Sequence, residues 1–203
     1  LEVGATLGVV HSPREFVEHP QSRAREVFGR AELPGLGGAP LVRGPLRFSA
    51  SRPPVEVPPA PADSSAGLPL SGITVVEFGM AAVGPEASLV LSELGAEVIK
   101  IESTVHLDVL RVSGFDRINC GFAFNTECRG RSSVALNLDT PEGRRLAAAL
   151  CARADVVVEN YRGGVLDRMG LGYEEVKASN PGVVYASSSG YGRSGPLAEM
   201  AAY

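Results

Sequence analysis

The 203-residue chain contains no tryptophan, only 3 cysteines and 3 histidines, and no excess of positive charge. Each shortage removes a class of function. Cys120, Cys128 and Cys151 form no CxxC pair and are odd in number, which points to reduced thiols in a cytoplasmic protein and not to a disulfide framework. His11, His19 and His106 share no ligand spacing, so no metal is expected. With 19 Lys and Arg against 23 Asp and Glu, the net charge is −4, which argues against nucleic acid and acidic membrane surfaces as partners. No apolar run approaches the roughly 18 residues that a membrane helix needs, and no signal-peptide pattern opens the chain. GxSxG is absent, and no local cue pairs a Ser or Cys with a His.

Hydrophobic residues make up 44% of the chain and charged residues 21%, enough for a sizeable core. The most informative stretch runs from Pro69 to Glu102. Ile73–Phe78 is rich in β-branched residues and reads as a strand. Gly79–Pro85 supplies two glycines and a proline at a helix mouth, Ala87–Leu94 is helix-forming, and Gly95 is placed to end that helix. Glu97–Glu102 alternates apolar and charged residues as a second strand. Such a unit aims backbone N–H groups at an anionic ligand, commonly a phosphate.

The alternation continues. Thr140-Pro141-Glu142 starts a helix that reaches about Arg153, with Thr140 as N-cap. Asp155–Glu159 reads as a buried strand, Val165–Met169 and Glu174–Ser179 as short helices, and Gly182–Ser187 as another strand. The fold class expected is α/β, a Rossmann-like parallel sheet with flanking helices, preceded by a small α+β tail segment. In the tail, Ser12-Pro13-Arg14-Glu15 forms a capping box, and a second helical run spans Gln21–Phe28. From Ser51 to Pro69 inclusive there are six prolines, the composition of an extended, semi-rigid linker.

Two Gly-rich or basic runs have ambiguous roles. Gly190-Tyr-Gly192-Arg-Ser-Gly195 matches GxGxxG after a strand, but Pro196 follows and no long helix opens, so a structural turn is the better reading over a dinucleotide site of an NAD(P)-linked oxidoreductase. Cys128-Arg-Gly-Arg-Ser-Ser133 could meet phosphate but reads more simply as a solvated basic loop.

Six blocks in order resemble the class III CoA-transferases (the CaiB/BaiF family): PLSGITVVEFG, GPEASLVLSELGAEVIKIE, Asp108-x-x-Arg111, RGRSSVALNLDTPEGR, ADVVVENYRGGVLDRMGLGYEEV and NPGVVYASSSGYGRSGPLAE. The resemblance implies a CoA-binding N-terminal half over residues 69–203. Residues 1–51 are similar to the C-terminal tail of a preceding module, and residues 52–68 are the linker. A first residue that is Leu and not Met fits the expectation of a piece of a tandem fusion.

Members of that family move CoA between an acyl thioester and a carboxylic acid. An aspartate attacks the thioester to form a mixed anhydride, and CoA returns to give an aspartyl thioester. The matching aspartate is expected beyond Tyr203, so no catalytic residue is assigned within the chain, and alone it should be inactive. The resemblance implies coenzyme A contacts at Ala81 and Ala82 in the first βα turn, at Leu136, at Asn160 and Tyr161, and at Arg168 for the phosphates. Tyr203 falls in the substrate pocket, where 2-methylacyl-CoA racemases carry a histidine. A phenol there favours transfer over racemisation. Asp139 stands where a lysine is common, so a compensating cation such as Arg131 is expected nearby. A non-catalytic CoA-binding or supporting module is the remaining alternative. The partners implied are acyl-CoA, a carboxylic acid, and an interlocked homodimer or tandem-module pairing.

Overall fold

In the computed structural model the described residues are 8–33, 37–43, 46–49, 67–113, 118–119 and 121–202. The elements, in chain order, are α1 (Pro13–Glu18), α2 (Pro20–Ala24), β1 (Phe28–Leu33), β2 (Gly37–Val42), β3 (Thr74–Glu77), α3 (Val83–Glu93), β4 (Glu97–Glu102), α4 (Val109–Val112), α5 (Phe122–Glu127), β5 (Ser132–Ala135), α6 (Pro141–Cys151), β6 (Val156–Glu159), α7 (Val165–Arg168), α8 (Tyr173–Ser179) and β7 (Val184–Ser187). Among the described residues no helix is long and apolar enough to cross a membrane.

β3 to β7 form one sheet in the order β5-β4-β3-β6-β7, and all four strand pairings are parallel. The Rossmann-like α/β expectation holds. Successive residues of the central strands serve opposite faces, and both faces are buried, as a parallel sheet requires. Val76 and Val157 join Phe78, Ile101, Ala147, Cys151, Leu166, Leu171 and Val176 on one side. Val75 and Val158 join Ala96 and Val98 on the other, with Leu91 of α3 packed against them.

Local signals placed most boundaries. Gly95 takes φ 103° just past α3, the left-handed position that stops a helix at no steric cost. The Thr140 hydroxyl accepts from Gly143 N at 3.1 Å and caps α6, with Pro141 at its first position.

The tail is a short α+β unit. Ser12 and Glu15 form the expected capping box on α1. The second helix is shorter than its sequence suggests: α2 ends at Ala24, and Phe28 already belongs to β1, which pairs antiparallel with β2. The edge-to-face packing of Phe28 on Phe16 goes with the extended conformation, a tertiary contact that outweighs helix propensity over 25–28. Residues 51–66 of the proline-rich segment lie outside the described residues.

The tail meets the sheet domain chiefly through Gln21. Gln21 Nε2 donates to Tyr191 O at 2.7 Å and to Ser194 O at 2.9 Å, while its Oε1 accepts from Leu197 N at 2.9 Å. Arg25 adds a bond to the Ser194 hydroxyl at 3.2 Å. The run Gly190–Gly195 is thus a docking loop for the tail, with Gly192 and Gly195 at positive φ and a turn at 196–199 where a dinucleotide site would open a helix.

Candidate functional site: a cleft at the switch point of the sheet

In this strand order the chain leaves β3 in one direction and returns on its other side at β6. The crevice at the carboxyl ends of the strands near that reversal is where open α/β sheets bind ligands. A cleft of about 140 Å³ lies there, lined by Gly79 and Met80 after β3, Lys100–Ser103 at the end of β4, His106 and Asp108, Leu136–Asp139 after β5, Tyr161 after β6, and Met169.

Its floor is a turn fixed by side chains from three other segments. Lys100 Nζ donates to Gly79 O at 2.5 Å. The Asn160 carboxamide takes both backbone groups of Met80, accepting from its N at 2.8 Å and donating to its O at 2.9 Å. Asp108 Oδ1 accepts from Ala81 N at 3.2 Å. Ala81 sits at φ 57°, a left-handed conformation that costs a non-glycine residue roughly 1–2 kcal/mol. The turn also packs tightly. A Cβ on Gly84 would stand 2.7 Å from Gly79 Cα and 2.9 Å from Asn160 Oδ1, so only glycine lets the start of α3 approach.

Beneath the turn runs a buried chain of charge. Arg131 and Glu77 pair at 2.5 Å with both side chains out of solvent. Glu77 also holds Lys100 at 3.1 Å, and Lys100 faces Asp108 Oδ2 at 3.5 Å. Two carboxylates and two cations balance, which is what permits their burial. Arg131 further donates to the carbonyls of Pro85 and Glu127. This corrects two expectations. The basic run 128–133 is not a solvated loop at Arg131, and Arg131 does not compensate Asp139. The cation-capable group facing Asp139 is His106, whose Nε2 lies 3.3 Å from its carboxylate at the exposed rim.

The walls are tied down separately. Arg111 makes a two-pronged bond to Glu102, 2.6 Å on each arm, and stacks over the Phe124 ring. Burial pushes the Glu102 carboxyl up, but bonds from Arg111 and the Ser133 hydroxyl outweigh it and hold it below its ordinary 4.5. On the far side Glu159 accepts from Tyr161 N at 2.8 Å and from Arg193 at 2.7 Å. Burial raises its carboxyl in spite of these bonds. Burial, with the Glu159 and Asp108 carboxylates nearby, pushes the Tyr161 phenol up to about 12, so it stays neutral.

The residues expected at the site separate into groups. Leu136 and Tyr161 line the cleft together. Ala81 and Ala82 continue its floor into the start of α3, and Ala82 offers no side-chain cap there. Asn160 lies beneath them with its carboxamide spent on Met80. Arg168 is exposed in the last turn of α7, beside Gly164 and outside the lining, and its guanidinium makes no hydrogen bond or ion pair among the described residues. Tyr203 lies outside the described residues. Lys100, His106 and Asp108 went unassigned from sequence. The Asp108-x-x-Arg111 spacing was a usable signal, since it puts an N-cap and a last-turn cation on one short helix, α4.

Among the described residues the aspartates of the domain are all engaged. Asp108 faces Lys100, Asp139 faces His106, Asp155 Oδ2 accepts from Thr74 N at 2.9 Å, and Asp167 accepts from Arg193 at 2.5 Å.

Comparison with known proteins converges on one family. The model of "CoA-transferase family III" matches residues 70–203. The chain is 37% identical over 174 residues to the succinyl-CoA–L-malate CoA-transferase alpha subunit of Chloroflexus aurantiacus, covering 84% of this chain and 37% of that protein. It is 38% identical over 142 residues to the succinyl-CoA:glutarate CoA-transferase of Mus musculus, covering 70% of this chain and 33% of the relative. Among solved structures, a CaiB/BaiF family protein from Brucella suis superposes with a TM-score of 0.63 at 42% identity, over 68% of this chain and 37% of that one. The chain therefore spans little more than a third of the length of these relatives.

Proposed function

Since the chain belongs to CoA-transferase family III, we propose that it supplies the coenzyme A-binding half of an enzyme that moves CoA from an acyl thioester to a carboxylic acid in the cytoplasm. The observation that carries this reading is the cleft at the sheet's switch point, which lies wholly within the residues the family model matches. Relatives named for succinyl-CoA, malate and glutarate support short dicarboxylates as the acid class.

In this reading the turn Gly79–Ala82 and the open first turn of α3 face the thioester end, and backbone N–H groups there suit a carbonyl oxygen that gains charge during acyl transfer. Leu136 and Tyr161 give the cleft an apolar side for the nucleotide. Arg168, whose guanidinium has no other partner among the described residues, serves the phosphates from outside the lining. The nucleophile is an aspartate contributed from outside residues 1–203. Its assignment elsewhere is supported by the engagement of the described aspartates of the domain, Asp108, Asp139, Asp155 and Asp167, all of which are already paired or bonded.

The organisation proposed is a preceding module's tail over 1–51, a linker over 52–68 and the CoA-binding half from 69. The functional assembly is an interlocked homodimer or a pairing of tandem modules. The Gln21 contacts support the tail as a fitted part of this domain.

Calorimetric titration of the chain with CoA and with NADH tests the ligand. Saturable CoA binding without NADH binding is expected, and NADH binding without CoA binding overturns the reading. For the parent protein, thioester exchange across a panel of acyl-CoA donors and acids tests the reaction. Release of free acid by hydrolysis with no exchange product would refute transfer.

A further inference from the structure

Three consecutive residues of the proposed thioester-end turn have backbone groups held by side chains, and no two of those side chains come from the same segment. Gly79 O is held by Lys100 at the end of β4. Met80 is held by Asn160 after β6, and Ala81 N by Asp108 before α4. Met80 and Ala81 are only half-buried, so their backbone groups do not need remote side chains to be satisfied. What the three contacts do impose is a conformation, and Ala81 at φ 57° is one that alanine avoids when free.

Asp108 carries the most specific part of the clamp. Its Oδ1 is shared between Ala81 N at 3.2 Å and Leu110 N at 2.9 Å, so one atom both caps α4 and fixes the turn. Its Oδ2 is buried at the cleft without a hydrogen bond and faces Lys100 Nζ at 3.5 Å. Lys100 in turn divides its charge between Glu77, Asp108 and the Gly79 carbonyl. Moving either side chain therefore moves two adjacent backbone groups of the turn together.

We propose that Asp108 and Lys100 are positioning residues that hold Gly79–Ala81 in a strained, preformed shape, so that the first turn of α3 meets the acyl-thioester end of the ligand without reorganising. The inference rests on the CoA-binding reading above. Preorganised donors act where charge develops because no reorganisation is needed at that moment, and the clamp supplies that rigidity here. Asp108 and Lys100 act through the backbone and need not touch the ligand.

The test compares two ligands that share one end. Acetyl-CoA spans the whole proposed site, whereas adenosine 3′,5′-bisphosphate occupies only its nucleotide part. In calorimetric titrations of the full chain, Asp108→Asn keeps the side chain's shape but removes its charge. It is expected to weaken acetyl-CoA by about tenfold, the scale of one charge-assisted hydrogen bond, while the bisphosphate changes by less than about twofold. Adding Ala81→Gly in that background should restore acetyl-CoA affinity to within about threefold, because glycine adopts the positive φ without a clamp.

Equal losses for both ligands, or no recovery with glycine, overturn the clamp and leave the CoA reading standing. A parent chain that binds neither ligand overturns both. Should Asp108→Asn fail to fold, Ala81→Gly alone still decides the matter. It should raise the melting temperature if Ala81 is held under strain, and a lower melting temperature overturns the proposal.

Discussion

Gln21→Ala removes three of the hydrogen bonds that join the tail to the sheet domain. Gln21 is buried, at 8% exposure, and makes three hydrogen bonds of 2.7–2.9 Å to backbone groups between Tyr191 and Leu197. Each bond of this kind contributes about 1 kcal/mol net, so losing three costs about 3 kcal/mol. That shifts the opening equilibrium of the docked loop by about 150-fold, at tenfold per 1.36 kcal/mol. The loss is local, because the core clusters contain no tail residue. Amide hydrogen exchange at Leu197, whose N–H points at Gln21 Oε1, therefore reads it directly, with the β3 amides as an internal control. Exchange at Leu197 should accelerate by about two orders of magnitude while β3 stays protected. Gln21→Glu should also loosen the loop, since a carboxylate can accept from Leu197 but opposes the carbonyls of Tyr191 and Ser194. A change below about threefold at Leu197 in Gln21→Ala would refute the docking argument.

Arg131→Met should destabilise the chain by about 3–5 kcal/mol in urea denaturation, because it strands Glu77 with only a share of Lys100. The double variant Glu77→Gln/Arg131→Met should lose less than Arg131→Met alone, and an equal or larger loss would sink the charge-balance account. The Cys151 thiol is buried in the core and pushed up to about 12, while the half-buried Cys128 reaches about 11. Iodoacetamide labelling mapped by peptide should reach Cys128 before Cys151, and Cys151 only in denaturant. Glu102 is held below 4.5 in the fold, so its contribution is present above that value and fades as pH falls through the folded value. The stability gap between the parent and Glu102→Gln should shrink on acidification, and a gap that is constant from neutral pH to pH 3 refutes the pairing with Arg111.

The sheet was legible because its signals are local. Val75-Val76 and Val156–Val158 are β-branched runs, Gly95 and the Thr140–Pro141 pair punctuate the helices, and each acts within a few residues of itself. Where a contact arrives from far along the chain the reading failed. Helical propensity across Gln21–Phe28 gave way at Phe28 to the packing of Phe16 and the pairing with Val42. Arg131 looked solvated because glycine and serine surround it, yet it closes a pair with Glu77, 54 residues earlier.

The candidate site shows the same division at the scale of single atoms. Leu136 and Tyr161 line one cleft because strand ends in a βαβ fold converge by topology alone. Asp108 could be recognised locally only as the cap of a four-residue helix, and that reading accounts for its bond to Leu110. Its bond to Ala81 spans 27 residues and exists only once β3 and β4 lie side by side. Because both bonds use Oδ1, the local role conceals the distant one: the residue looks explained before its second partner is known. A chain that relies on such shared atoms couples the capping of α4 to the shape of the cleft floor. A variant that spares one and not the other, such as Ala81→Gly, is therefore more informative than deletion of Asp108 itself.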